Sequence, residues 1–160
     1  MLTGLAHTGV CVPDVEEAVA WYESVLGLRV LSPPYLMSGP EIERDMGELV
    51  PGVAIKAAIL GFAHGDHVLE VIEYPGSPGR RRGDHRSITD AGFSHVGLVC
   101  DDIAATRADL EARGVGFLTT GVAGIAGLRT TWFQDPYGLV FILMEKGSAD
   151  RPYYRQFTPR

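Results

Sequence analysis

The fold is decided by two similar stretches, His7-Thr-Gly-Val-Cys-Val-Pro-Asp14 and His95-Val-Gly-Leu-Val-Cys-Asp-Asp102. Each begins with a histidine, continues as a short apolar segment with a glycine two positions on, and reaches an aspartate seven positions after the histidine. Such an apolar segment is typical of a buried strand, and an aspartate before apolar residues at helical spacing is a typical helix N-cap. The chain therefore contains two related halves, each starting with a β-strand and then an α-helix.

The residues after each stretch extend the repeat to a βαβββ module. In the first half the helix ends at Gly27, and further strands are expected at residues 28–31, 53–60 and 67–74. Residues 32–52 are expected to form a long loop with one helical turn. In the second half the strands are expected at residues 93–100, 115–118, 130–134 and 139–144, and a proline-containing turn joins the last two.

The chain length of 160 residues fits one domain of the α+β class. We expect module one over about residues 1–78, a linker over about 79–91 and module two over about 92–146, followed by a tail over 147–160. The linker assignment rests on its glycines and its run of arginines.

The composition excludes several classes of function. A net charge of −6 argues against nucleic acid or an anionic membrane as a partner. The chain has 2 cysteines, which favours reduced thiols over a disulfide framework. No basic and apolar leader is recognisable, and the apolar runs are strand-sized. We therefore expect a cytoplasmic protein that acts on a small molecule.

Two histidines and one glutamate form a candidate metal site. Alternate residues of a strand point to one side, so His7 shares a face with Gly9 and His95 shares a face with Gly97. Glu70 lies in an otherwise apolar strand, where a carboxylate is costly to bury unless it meets a cation. Two imidazoles and a carboxylate can hold a divalent metal and leave coordination positions open. The alternative is that the histidines are hydrogen-bonded or exposed and that the glutamate faces the surface.

The chain resembles the vicinal oxygen chelate superfamily, which includes glyoxalase I, methylmalonyl-CoA epimerase, extradiol dioxygenases and bleomycin resistance proteins. The resemblance rests on the two stretches above, on His67-Val-Leu-Glu70-Val-Ile-Glu-Tyr-Pro75 and on Trp132-Phe-Gln-Asp-Pro-Tyr-Gly138. It implies two βαβββ modules that form an incomplete barrel around a divalent metal (Zn, Ni, Co, Mn or Fe), and it implies a homodimer. Glyoxalase- and epimerase-like members bind the metal with His, Glu or Gln, His and Glu, and the first three carry over onto His7, Glu70 and His95.

Two positions depart from the family pattern. The fourth ligand falls on Ile142, and the internal repeat agrees, because Ile142 corresponds to Glu70. Glu145 lies three residues later and should face the other way unless a bulge shifts the register. The carboxylate base of epimerase relatives falls on Lys56, which is open to interpretation as a desolvated base, an anion clamp, an electrophilic partner of the substrate or an outward-facing residue.

The expected activity is that of a metal-dependent lyase or isomerase of the glyoxalase or epimerase type. It would act next to a carbonyl of a small oxygenated substrate, through an enediolate or enolate. The base would be Lys56, Glu145 or a metal-bound hydroxide. Arg129 is expected to bind a substrate carboxylate or to form a surface salt bridge. Thr131 or Phe133 is expected to line the cavity or to pack in the core. The alternatives are an Fe(II)-dependent ring-cleaving dioxygenase and a metal-free small-molecule or antibiotic-binding resistance protein.

Overall fold

The computed structural model describes residues 6–62, 67–76, 89, 92–125, 127–148, 150 and 152. The chain divides into two compact units, Met1–Arg81 and Arg82–Arg160, and the division falls inside the predicted linker. Most of that linker, and most of the predicted tail, lie outside the described residues. None of the helices in the described ranges is long and apolar enough to cross a membrane.

The first unit contains four strands and two helices. They are β1 (His7–Cys11), α1 (Val15–Leu26), β2 (Arg29–Ser38), α2 (Pro40–Met46), β3 (Ala54–Gly61) and β4 (Val68–Glu73). The sheet order is β1-β4-β3-β2, in which β1 runs parallel to β4 and the other neighbours are antiparallel. This is the predicted βαβββ order with α2 added between β2 and β3.

Helix α1 forms as its sequence predicts. The Asp14 carboxylate accepts a hydrogen bond from the Glu17 amide at 2.9 Å, which caps the first turn. Gly27 ends the helix with φ 70°, a left-handed conformation that glycine adopts without a steric cost. The buried face of α1 packs against β2, β3 and β4 and consists of Val15, Ala18, Val19 and Tyr22.

The prediction that the second strand ends at residue 31 is wrong. Strand β2 continues to Ser38 through Pro33 and Pro34. It is an edge strand that pairs with β3 alone, so prolines cost little of the ladder there. The pairing shifts register around the two prolines. The single helical turn expected in the following loop is α2.

The second unit repeats the topology of the first. It consists of β5 (Val96–Cys100), α3 (Ile103–Ala112), β6 (Ala123–Ile125), β7 (Leu128–Gln134) and β8 (Val140–Lys146). The sheet order is β5-β8-β7-β6, with β5 parallel to β8. The predicted α+β class and the two βαβββ modules are therefore confirmed.

The strand predicted at residues 115–118 is not formed. Only an isolated bridge joins Phe117 to Phe133, and the third strand of this module is β6 instead. The Arg107 guanidinium binds the main-chain oxygens of Thr119 at 2.9 Å and of Gly121 at 3.3 Å. These carbonyls are therefore held by α3, which explains why the ladder does not continue from residue 117 towards residue 121.

Candidate metal centre

His7 and Glu70 meet on one face of the first sheet. In the parallel β1–β4 ladder Gly9 lies opposite Glu70, which puts Glu70 on the same side as His7. His7 Nε2 lies 3.1 Å from Glu70 Oε2. The two side chains are 51% and 25% exposed, so the pair is accessible to solvent and to a ligand. The structure thus brings together two of the three predicted metal ligands.

Gly9 makes room for this pair. A Cβ atom built at Gly9 would have a single close neighbour, Ile72 Cδ1 at 3.6 Å. The space above Gly9 is therefore open on the side where the Glu70 carboxylate reaches towards the imidazole. Gly9, which the strand alternation places on the face of His7, thus leaves this face open.

The His7–Glu70 pair fits the requirements of a divalent metal. Imidazole nitrogen and carboxylate oxygen are ligand types of Zn, Ni, Co, Mn and Fe. Two neighbouring ligand atoms that each lie about 2.1 Å from one ion are about 3.0 Å apart in an octahedral site and about 3.4 Å apart in a tetrahedral one. The observed 3.1 Å lies within this range, and it is equally a hydrogen-bond distance.

His95 lies in the second unit, immediately before β5, and is exposed. Its Nδ1 atom is 3.0 Å from Ser94 Oγ. Its ring packs edge-on against Trp132, with ring centroids 4.8 Å apart and an interplanar angle of 74°. Trp132 lies opposite Ile142 in the β7–β8 ladder, which places both on the His95 side of the sheet.

Ile142 takes the place of Glu70 in the second unit. Gly97 lies opposite Ile142 in the β5–β8 ladder, as Gly9 lies opposite Glu70 in the β1–β4 ladder. The predicted correspondence of Ile142 and Glu70 is therefore confirmed. A Cβ atom at Gly97 would lie 2.9 Å from Met144 Cε. Apolar atoms therefore fill the space above Gly97, whereas the corresponding space above Gly9 is open.

Glu145 faces the other side of the second sheet, because the β5–β8 register is continuous as far as this residue. Its carboxylate accepts a hydrogen bond from the Ile103 amide at 2.8 Å and one from Arg129 Nη1 at 2.9 Å. The Ile103 amide above all, and then Arg129, hold the pKa of the Glu145 carboxyl below its ordinary value. This geometry supports a helix cap and does not support a catalytic role.

Lys56 also lies on the side of its sheet that faces a helix, in this case α1. It is opposite Glu73 in the β3–β4 ladder, and the Glu73 carboxylate accepts a hydrogen bond from the Val15 amide at 3.0 Å. The Lys56 ammonium forms an ion pair with Glu16, and that hydrogen bond is the main reason why the pKa of Lys56 is raised. Lys56 thus points away from the face of Glu70 and is held protonated, which argues against its use as a base.

One acidic group stands out beside α1. The carboxylate oxygens of Asp14, Glu16 and Glu73 lie within 4.8 Å of one another. Each already has a partner, since Asp14 and Glu73 accept helix amides and Glu16 binds Lys56. The helix N-terminus and the lysine therefore account for this group without an ion.

The three predicted substrate contacts do not lie on the His95 face. Arg129, Thr131 and Phe133 alternate with Trp132, so they point towards α3. Thr131 and Phe133 are 0% exposed, and Thr131 Oγ1 accepts a hydrogen bond from Arg107 at 2.6 Å. Arg129 forms the salt bridge to Glu145 that was the alternative interpretation. This placement corrects the assignment of these residues to a cavity wall.

Three residues close to the candidate ligands are not among the predicted site residues. Ser94 and Trp132 are two of them, although Trp132 lies opposite Ile142 in the β7–β8 ladder. Tyr74 is the third and directly follows β4; it packs against the apolar cluster of Val53, Ile55 and Ala57. Burial raises the pKa of Tyr74, with smaller contributions from Cys11 and Glu70. The two-residue alternation along each strand could have found Trp132 and Tyr74, whereas no sequence signal marks Ser94.

The repeated sheets, with one histidine at the start of each module, define a two-module α+β fold. Residues 4–143 match the family described as the Glyoxalase/Bleomycin resistance protein/Dioxygenase superfamily. The chain belongs to this superfamily, the one that its sequence resembles.

Two relatives and one solved structure illustrate the similarity. A probable chloroplastic lactoylglutathione lyase of Arabidopsis thaliana is 27% identical over 150 residues, which are 92% of this chain and 37% of that protein. The chain thus spans little more than a third of that relative's length. The lactoylglutathione lyase of Haemophilus influenzae is 26% identical over 147 residues, which are 91% of this chain and 94% of that protein. A glyoxalase family protein of Bacillus cereus has a similar structure, with a TM-score of 0.79 at 16% identity over 92% of this chain and 97% of that one.

Proposed function

We propose that the protein is a divalent-metal-dependent lyase or isomerase that acts next to a carbonyl of a small oxygenated substrate. His7, Glu70 and His95 would hold the metal, which is Zn, Ni, Co, Mn or Fe. The observation that carries the proposal is the 3.1 Å approach of His7 Nε2 and Glu70 Oε2 on an accessible sheet face. The matching position of His95 at the start of the second module supports it.

Each residue has a defined part in this proposal. A metal bound there would act as a Lewis acid towards two neighbouring oxygens of the substrate and favour an enediolate or enolate. His7 and His95 supply neutral nitrogen ligands. Glu70 supplies the carboxylate and is also the proton acceptor that we favour, because Lys56 and Glu145 are held at helix N-termini on the opposite faces of their sheets.

The relatives suggest where to begin with substrates. The proteins from Arabidopsis thaliana and Haemophilus influenzae are both named as lactoylglutathione lyases. S-lactoylglutathione is therefore the first compound to test, followed by smaller hydroxy-carbonyl compounds. A thioester with a neighbouring hydroxyl has the two adjacent oxygens that this chemistry requires.

The reaction class can be tested by proton exchange. An enediolate or enolate route removes the hydrogen next to the carbonyl, and a base that is accessible to solvent, as Glu70 is at 25% exposure, replaces it with deuterium. NMR of the candidate compounds in deuterium oxide, with the metal-loaded protein, should show loss of that hydrogen signal. The Glu70→Gln variant should lose the exchange, and Glu145→Gln should retain it. Exchange that proceeds equally in Glu70→Gln and the wild type would contradict the proposed role of Glu70.

A second candidate is a metal-free small-molecule binding protein, and Ile142 favours it. An apolar residue at the place of Glu70, with Val99 49% exposed on the same side of the second sheet, suits an apolar ligand better than a cation. Titration of the wild type and of His7→Ala with metal and with apolar ligands separates the two functions. A ring-cleaving dioxygenase is less well supported, since such members place a second histidine where this chain has Glu70.

We further propose that the protein is a cytoplasmic homodimer without a nucleic acid or membrane partner. The proposal rests on superfamily membership and on the acidic net charge of −6. Light scattering on the purified protein tests the dimer directly. A mass of one chain at micromolar concentration would contradict it.

A further inference from the structure

The imidazoles of His7 and His95 make different contacts. In the first unit the acid Glu70 contacts His7 through Nε2 at 3.1 Å. In the second unit the equivalent position is Ile142, which offers His95 no hydrogen bond. An imidazole on an exposed strand end needs some other contact to fix its orientation. The second unit supplies two such contacts, from Ser94 and Trp132.

Ser94 engages the imidazole at the nitrogen nearer the backbone. Its Oγ lies 3.0 Å from His95 Nδ1, a hydrogen-bond distance in which either atom can be the donor. If Nδ1 carries the proton and donates to Ser94 Oγ, Nε2 keeps its lone pair and can bind a metal. A hydrogen bond at one ring nitrogen is the usual way in which proteins set the tautomer of a metal-binding histidine.

Trp132 restricts the plane of the same ring. Its contact with His95 is edge-on, at 4.8 Å between centroids and 74° between planes. Edge-on contacts between aromatic rings are favourable and depend on orientation. Trp132 is itself anchored, because its amide donates to Thr119 Oγ1 at 3.2 Å and its carbonyl accepts from the Leu118 amide at 2.7 Å.

We propose that Ser94 and Trp132 are positioning residues for His95, in a module where Ile142 stands at the place of Glu70 and offers the imidazole no hydrogen bond. Ser94 fixes the tautomer with the proton on Nδ1, and Trp132 fixes the ring plane, so that Nε2 is presented to the metal. The inference deepens the proposed function and rests on it where the metal is concerned. The tautomer itself is a property of the metal-free protein.

The first test is the tautomer of His95 without metal. Long-range ¹H–¹⁵N NMR at about pH 8.5, where ordinary imidazoles are neutral, reports which ring nitrogen carries the proton. We expect the Nδ1–H form in the wild type and in Ser94→Thr, which keeps a hydroxyl. We expect Ser94→Ala to shift towards the Nε2–H form. Ser24→Ala is the matched control, because the Ser24 hydroxyl donates to the Ala20 carbonyl within α1 and lies in the other unit.

The second test is the affinity for Co²⁺, measured by calorimetry and by the visible absorption of the bound ion. Loss of an orienting partner of a metal-binding histidine commonly weakens binding between tenfold and a hundredfold. Because Ser94 is partly exposed, we expect Ser94→Ala to weaken Co²⁺ binding by about tenfold, the lower end of that range. Ser94→Thr and Trp132→Phe should stay within about threefold of the wild type, and Trp132→Leu should weaken binding more than Trp132→Phe.

The results separate this inference from the proposed function. An Nε2–H tautomer in the wild type, or a Ser94→Ala variant that keeps both the wild-type tautomer and the wild-type affinity, would overturn the positioning role. A wild type that binds no Co²⁺, Zn²⁺ or Ni²⁺ would contradict the proposed function instead. In that case the tautomer measurement still decides whether Ser94 orients His95.

Discussion

Glu73 and Glu145 occupy the same place in the two modules. The Glu73 carboxylate accepts a hydrogen bond from the Val15 amide at 3.0 Å, and the Glu145 carboxylate accepts one from the Ile103 amide at 2.8 Å. In each case the last strand of a module thereby binds the first amide of that module's helix. A negative charge at a helix N-terminus is stabilising, so the repeat preserves this contact for the fold.

The cations beside these glutamates are repeated as well. Lys56 lies opposite Glu73 in one ladder, and Arg129 lies opposite Glu145 in the other. Both are used in ion pairs on the helix-facing side, Lys56 with Glu16 and Arg129 with Glu145. The duplication thus gives a structural explanation for the residues that the sequence offered as base and anion clamp.

Glu145→Gln should destabilise the protein and leave metal binding intact. The substitution weakens the contacts with the Ile103 amide and with Arg129, both on the side away from His95. We expect the Tm to fall by about 3 °C and the Co²⁺ affinity to change by less than about twofold. Differential scanning calorimetry and metal titration measure the two effects. Glu70→Gln is the matched comparison, with the larger effect on metal binding, and a Glu145→Gln variant that lost the metal would refute the capping role.

The contribution of Glu145 to stability should disappear in acid. Its folded-state pKa lies below the ordinary 4.5, so its stabilising charge is fully present above pH 4.5 and is lost as the pH falls through the lower folded-state value. The Tm difference between the wild type and Glu145→Gln should be constant around pH 7 and shrink towards about pH 3. Thermal unfolding across this range tests it. A difference that stays constant down to pH 3 would mean that the ionised carboxylate is not the stabilising species.

Lys56→Gln should leave catalysis largely unchanged. The ion pair with Glu16 raises the pKa of Lys56, so the side chain stays protonated at neutral pH and cannot accept a proton there. We expect kcat within about threefold of the wild type and an unchanged pH–rate profile, with a lower Tm. Glu16→Gln breaks the same ion pair from the other side and should reproduce the change in Tm. A loss of a thousandfold in kcat would restore Lys56 as the base.

Ile142→Glu should strengthen metal binding. The register places a carboxylate at this position where Glu70 stands in the first module. We expect a gain of about tenfold or more in affinity for Zn²⁺ or Co²⁺, since a further anionic ligand is added. Ile142→Gln has a similar shape without the charge and should gain much less. Unchanged affinity in Ile142→Glu would show that this position does not face the metal.

The duplication made much of the fold predictable. The paired stretches beginning at His7 and His95 predicted the first strand of each module and the helices α1 and α3. Strand alternation predicted that Glu145 faces away from the candidate site. The ladder confirms the correspondence of Ile142 and Glu70. The expectation that Phe133 lines the cavity did not take this alternation into account. Alternation along β7 places Trp132, and not Phe133, on the His95 side of the sheet.

Other features depend on contacts that no local pattern encodes. Strand β2 passes through Pro33 and Pro34 because it is an edge strand, which becomes evident only once the sheet order is known. The displacement of the third strand of module two depends on Arg107, which joins α3 to the carbonyls of Thr119 and Gly121. The ion pair of Lys56 with Glu16 likewise joins residues that lie far apart in the sequence and is evident only from the structure.

Calorimetric titration of the metal-free protein with Co²⁺ tests whether His7, Glu70 and His95 bind one metal ion. The wild type is compared with His7→Ala, Glu70→Gln and His95→Ala. We expect one ion per chain and, for each variant, a loss of affinity of about a hundredfold or more. A wild type that binds no ion, or a His95→Ala variant that binds as tightly as the wild type, would contradict the claim that both modules supply ligands to one metal.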